Sequence, residues 1–132
     1  MSVAVDTLAD LPLFASLTAD ERELVAGWAD VRTASRGDRI CGEGASGYSF
    51  FVLCNGAADV TQDGKELRVL GPGDFFGELA IVGDGRRSAT VTAVEPSTML
   101  DFFGTEFRRL EAELPEVAER IRQAAEQRKQ AG

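Results

Sequence analysis

No histidine occurs anywhere in this 132-residue chain. That absence excludes imidazole acid–base catalysis, a Ser-His-Asp triad and the histidine-rich metal sites of cupin-like barrels. Positive charge is scarce too: 14 Lys and Arg stand against 22 Asp and Glu, a formal net charge of −8. A nucleic-acid surface needs a basic stripe to neutralise phosphates, so no nucleic-acid partner is expected, and any bound anion must be held by local donors. The two cysteines, Cys41 and Cys54, lie in apolar or β-like surroundings without C-x-x-C spacing, which predicts buried thiols in a reducing compartment. No apolar run approaches the roughly 18 residues of a membrane span, and the N-terminus lacks a basic n-region followed by an apolar stretch. The expectation is a soluble cytoplasmic protein that does not enter a membrane.

What is present is 44% apolar residue content, enough for one core, and we read residues 1–132 as one domain. Residues 8–30 form a helical entry. There Leu11-Pro12-Leu13-Phe14 precedes Thr18-Ala19-Asp20-Glu21, a capping box that predicts a helix from Ala19 to Trp28 with Leu24, Val25 and Trp28 facing the body of the fold. From 31 to 103 the pattern becomes short β-rich runs between glycines, at Val31–Ala34, Arg39–Cys41, Tyr48–Cys54, Ala57–Thr61, Glu66–Leu70, Ser88–Val94 and Thr98–Phe103. Regular turn signals between such runs indicate a sandwich or barrel. Asp63-Gly64 marks the clearest hairpin, because a type I′ turn wants positive φ at both central positions. Tyr48 to Leu53 is apolar on both faces and reads as a central strand. Residues 104–130 return to helical period, with a break at Pro115 and an apolar stripe of Val117, Ala118, Ile121, Ala124 and Ala125.

The chemistry concentrates between Gly71 and Val91, GPGDFFGELAIVGDGRRSATV. A glycine-rich turn leads through Phe75-Phe76 into Gly77-Glu78-Leu79-Ala80-Ile81-Val82, long enough for one tight helical turn. The loop Gly83-Asp84-Gly85 then delivers Arg86 and Arg87 just before a β-branched strand. A guanidinium offers a forked set of donors, and exposed amides in a turn add partial positive charge, so the stretch can hold an anion. Arg87 leads into an apolar strand and needs a partner, either a ligand phosphate or one of Glu78, Asp84 and Asp74. Glu78 is either an acceptor for sugar hydroxyls or an arginine-paired carboxylate.

Gly77-Glu78-Leu79-Ala80, a loop, and Arg87-Ser88-Ala89-Thr90 resemble the phosphate-binding cassette of the cyclic nucleotide-binding domain family, here spanning 75–90. The resemblance extends over Leu13-Phe14 and the capped helix, Gly37-Asp38 with Ile40, Glu43-Gly44, Asn55-Gly56 and Gly71-Pro72-Gly73-Asp74-Phe75-Phe76. It implies a mainly β fold, an antiparallel β-roll or jelly-roll barrel of the cupin-like kind flanked by N-terminal and C-terminal helices. It also implies that Arg87 binds a cyclic phosphate with the amides of Ser88 and Ala89, and that Glu78 and the Gly77 amide hold the ribose 2′-hydroxyl, with Leu79 and Ala80 completing the ligand-binding turn. Arg86 replaces the proline often found before the cassette arginine and is assigned to solvent. Threonine after that arginine tends to accompany cGMP in the family, so Ser88 favours cAMP as ligand over cGMP. The base is expected against apolar strand residues, Val69 among them, under the C-terminal helix.

No cofactor or metal beyond the nucleotide is expected, and nothing supplies a nucleophile, base and electrophile together, so the chain reads as a non-enzymatic sensor. Ligand entry would draw the short helix inward and swing the stripe after Pro115 over the base. The same region, Leu110, Leu114, Val117, Ile121 and Ala124, also reads as a seam for a second copy of the chain. The chain is either a stand-alone sensor or a piece of a larger protein with a fused or associated effector domain. Two other readings stand beside it: an interaction module whose pocket is empty or reassigned, and a metal-dependent cupin enzyme.

Overall fold

Among the described residues, eight strands form two four-stranded antiparallel sheets, and helices cover one of them. The structure is a computed structural model that describes residues 8, 10–41, 49–77 and 89–131. The first helix, α1 (Ala19–Ala26), opens on the predicted capping box: the Glu21 amide donates to Thr18 Oγ1 at 3.2 Å and the Thr18 amide to Glu21 Oε1 at 2.9 Å. It stops at Ala26, short of Trp28, where Gly27 is the C-cap and the Trp28 amide tightens to an i−3 bond with the Val25 carbonyl at 2.9 Å. Arg22 fixes its rotation by donating from Nη2 to the Ala15 carbonyl at 2.9 Å. Val25 and Ala26 therefore face the core, while Leu24, expected there, is 42% exposed. Trp28 is half-buried, with the Arg109 guanidinium 6.0 Å from its ring centroid, a packing role.

The strands are β1 (Asp30–Ala34), β2 (Arg39–Cys41), β3 (Ser49–Asn55), β4 (Ala58–Gln62), β5 (Lys65–Leu70), β6 (Phe75–Phe76), β7 (Thr90–Ala93) and β8 (Ser97–Phe103). One sheet has the order β1-β8-β3-β6 and the other β2-β7-β4-β5. The β4–β5 turn has Asp63 at φ 53° and Gly64 at φ 78°, both in the left-handed region that the Asp-Gly pair predicts. The strand β6 was not legible as one: two residues carry no period, and only pairing of Phe76 with Phe51 and Phe75 with Val52 makes it a strand. β3 is covered on both sides as expected. Phe50 and Val52 enter the core under the helices, and Phe51 and Leu53 enter the core between the sheets.

At the C-terminal end, α2 (Gly104–Glu113) and α3 (Pro115–Ala131) are separated by Leu114 alone, at the predicted break. Phe14, Phe50, Phe102 and Phe107 form a chain of ring contacts with centroids 4.9 to 6.1 Å apart. Leu110, Leu114, Val117, Ala118 and Ile121 close over them and are buried. No helix among the described residues is long and apolar enough to cross a membrane. Neither Cys41 nor Cys54 is in a disulfide, and burial pushes the Cys54 thiol above its ordinary range.

Candidate functional site

β6 ends at Phe76 in one sheet and β7 begins at Thr90 in the other, so the chain between them passes from sheet to sheet at one end of the core they enclose. Of the predicted site residues, Gly77 and Ala89 are the described ends of this crossing. Glu78, Leu79, Ala80, Arg87 and Ser88 lie outside the described residues, as do Arg86, the Gly83–Gly85 loop and all but the first residue of the predicted helical turn. Gly77 sits at φ 88°, a left-handed conformation that a side chain would strain. Ala89 is half-buried against the core between the sheets.

The approach to the crossing is firmly held. In the Gly71–Asp74 turn the Gly71 amide donates to Asp74 Oδ2 at 2.8 Å. The turn is then tied to β3 twice, by the Gly73 amide to the Leu53 carbonyl at 2.7 Å and the Leu53 amide to the Asp74 carbonyl at 2.8 Å. The turn thus fixes where the cassette begins, by two backbone bonds to β3 and one bond to the Asp74 carboxylate.

Strand register defines which side chains surround the opening, because residues directly opposite in an antiparallel pair share a face. On one sheet the row is Asp101, Phe51 and Phe76, with exposed Asp30 at its β1 edge, and on the other Cys41, Val91, Val60 and Arg68. These rows adjoin Gly77 and Ala89, whereas the next rows are apolar in the core, Met99 with Leu53 and Ala93 with Ala58 and Leu70, with Arg32 opposite Met99 at the β1 edge. The Phe51 and Phe76 rings stack at 5.1 Å, and the Arg32 guanidinium lies 5.4 Å from the Phe51 centroid. Arg68 and Asp101 thus border the apolar core between the sheets.

Arg68 and Asp101 are the rim residues that sequence reasoning passed over. Arg68 Nε and Asp101 Oδ1 are sealed from solvent. A signal existed: Arg68 is two residues before Leu70 and Asp101 two after Met99, so a period of two places both charges on the core face. The same period corrects the assignment of Val69 as a base contact. With Leu70 inward, Val69 points outward opposite Asp59 and is 58% exposed.

On that outer face Glu66 and Asp59 meet across β4 and β5. A hydrogen bond between the two carboxyl groups, together with the charge of Asp59, lifts the Glu66 pKa above the usual carboxylate range. Among the described residues no group of three or more His, Cys, Asp or Glu is placed to hold a metal ion.

The apolar stripe read as a lid or a dimer seam is occupied here. Leu110, Leu114, Val117 and Ile121 are 0 to 6% exposed, in the core on the helical side of the first sheet, with that sheet between them and the opening.

Residues 31–113 match the model of the family described as the cyclic nucleotide-binding domain. A cAMP-dependent protein kinase regulatory subunit of Mycosarcoma maydis is 41% identical over 90 residues, covering 65% of this chain and 17% of that protein. A cGMP-dependent protein kinase of Caenorhabditis briggsae is 36% identical over 101 residues, covering 72% of this chain and 14% of that protein. The catabolite activator protein of Thermus thermophilus superposes with a TM-score of 0.80 at 30% identity, over 91% of this chain and 59% of that one. The chain thus spans less than a fifth of the length of the two kinase relatives.

Proposed function

The chain belongs to the cyclic nucleotide-binding domain family, and from that premise we propose that it is a regulatory module that binds a cyclic purine nucleotide at the opening between its sheets and leaves it chemically unchanged. The observation that carries the reading is the crossing from β6 to β7. Its described ends, Gly77 and Ala89, adjoin an apolar core bordered by Arg68 and Asp101. A cyclic nucleotide has a matching division, with an anionic phosphodiester, a sugar edge of hydroxyls and a flat base.

In this reading Arg87 grips the phosphate with two parallel donors, helped by the amides of Ser88 and Ala89. Glu78 and the Gly77 amide hold the 2′-hydroxyl, and Leu79 and Ala80 continue the turn. The base lies against the inward row of Val60 and Arg68 in place of Val69. Ser88 tilts selection toward cAMP, with cGMP the weaker ligand, since one hydroxyl is worth only about 1–3 kcal/mol. The signal passes through α3 to a fused or associated effector, as suits a segment that forms a small part of its kinase relatives. We assign the module to the cytoplasm, where its cysteines stay reduced.

Isothermal titration with cAMP and cGMP tests the proposal. Arg87→Ala removes a charge-assisted contact and should weaken binding roughly 10- to 150-fold. Equal affinity in wild type and variant would overturn the assignment of Arg87.

A further inference from the structure

The stripe on α3 cannot lie in two places. Val117, Ala118 and Ile121 are 0 to 1% exposed in the helical core, so covering a base between the sheets requires them to leave it. Two arginines oppose that departure. Arg120 Nη1 donates to the Leu13 carbonyl at 3.4 Å, joining α3 to the N-terminal turn. Arg122 reaches back across the Pro115 break to Glu111 on α2, donates to Glu119 Oε2 at 3.1 Å, and lays its guanidinium 5.9 Å from the Phe107 centroid. The Glu111 contact spans Leu114, the single residue between α2 and α3.

We infer that the Arg122–Glu111 pair is a latch that holds α3 in the helical core and so sets the apparent affinity of the nucleotide site. The inference rests on the binding function proposed above. If only the released form covers the base, apparent affinity falls with the fraction of molecules released, and weakening the latch must tighten binding. The pair is partly exposed, 40% for Arg122 and 36% for Glu111, so its influence should be modest.

The test compares the full chain with Glu111→Gln, Arg122→Gln and the double variant. In the absence of nucleotide, amide exchange over 115–127 should quicken about two- to five-fold while β3 and β8 stay protected. cAMP affinity should tighten by the same factor. The double variant should match Arg122→Gln, which already removes the shared contact, whereas Glu111→Gln keeps the Glu119 and Phe107 contacts of Arg122 and should have the smaller effect. Unchanged exchange in α3 would overturn the latch, as would faster exchange with unaltered affinity. A wild type that binds neither cAMP nor cGMP sinks the binding function itself, and the exchange rates then still decide whether Arg122 holds α3 in place.

Discussion

The two hydrophobic cores differ in thickness, chemistry and the kind of change they tolerate. The helical core joins four phenylalanine rings to leucine, valine, isoleucine and alanine drawn from the N-terminal turn, α1, two strands, α2 and α3. The core between the sheets has two phenylalanines, is built almost wholly from strands, and ends in a rim carrying Arg68 and Asp101. A closed apolar core has one good packing and resists local change, whereas a core open at a charged rim leaves room for a polar ligand. Both are served by the same strands, since alternate residues of β3 and β8 face opposite ways. A ligand between the sheets and a helix outside them therefore press on opposite faces of one sheet.

Truncation on the helical side should break this comparison most forcefully. Phe102 is fully buried between the rings of Phe14 and Phe50, so Phe102→Ala should cost about 3–5 kcal/mol. Urea denaturation measures that loss, and nucleotide affinity in the surviving folded fraction should change far less than stability does. A loss below about 1 kcal/mol would mean that the helical core is loose enough to collapse around the gap.

The corner that carries the chain from β3 to β4, and so from one sheet to the other, comes next. Gly56 sits at φ 97°, and a Cβ there would lie 2.2 Å from Ser97 Oγ and 2.7 Å from the Pro96 carbonyl oxygen. Gly56→Ala should destabilise by about 1–3 kcal/mol from strain, with displacement of Ser97 adding to it. Thermal unfolding reads the effect, and adding Ser97→Gly should recover only the part due to Ser97 Oγ, since the Pro96 carbonyl oxygen stays 2.7 Å from the added Cβ.

How far the sequence disclosed these two regions follows from the range of the signals. Capping at Thr18, the Asp63-Gly64 turn, the break at Pro115 and the two-sided apolar run in β3 act within a few residues, and the structure shows each of them. Leu24 went astray because its facing is set by the Arg22 contact with the Ala15 carbonyl outside the helix, whereas Val69 went astray against a local signal, the strand alternation that turns Leu70 inward. Phe75 and Phe76 form a strand only through β3. Of the site, the sequence offered an anion-binding pattern of which the structure describes only the ends Gly77 and Ala89, while the period of two that faces Arg68 and Asp101 to the core becomes a site signal once strand register brings the two sheets together.

The entry to α1 offers a smaller effect. Thr18→Ala deletes one half of the capping box and should cost about 1 kcal/mol, within a range of roughly 0.5–2. Because α1 contributes Val25 and Ala26 to the helical core alone, this loss should appear in stability with no change in nucleotide binding. A parallel loss of affinity in calorimetric titration would show that the two cores are coupled more tightly than their shared sheet requires.

The weakest perturbation lies on the outer face of the second sheet, remote from both cores. The Asp59 carboxyl raises the Glu66 pKa first by hydrogen bonding and then by its charge, which favours the protonated acid in the folded state. A raised folded-state pKa contributes stability at pH below the usual carboxylate range and loses it as pH climbs through the elevated value. The wild type should therefore gain slightly in melting temperature, relative to Asp59→Asn, as pH falls from neutral toward that range. Glu66 is fully exposed, so salt should flatten the difference. Melting curves of the two proteins that stay parallel across this interval would show that the carboxyl pair does not share a proton, and a difference that also shifts nucleotide affinity would mean that the outer face communicates with the opening through β4 and β5.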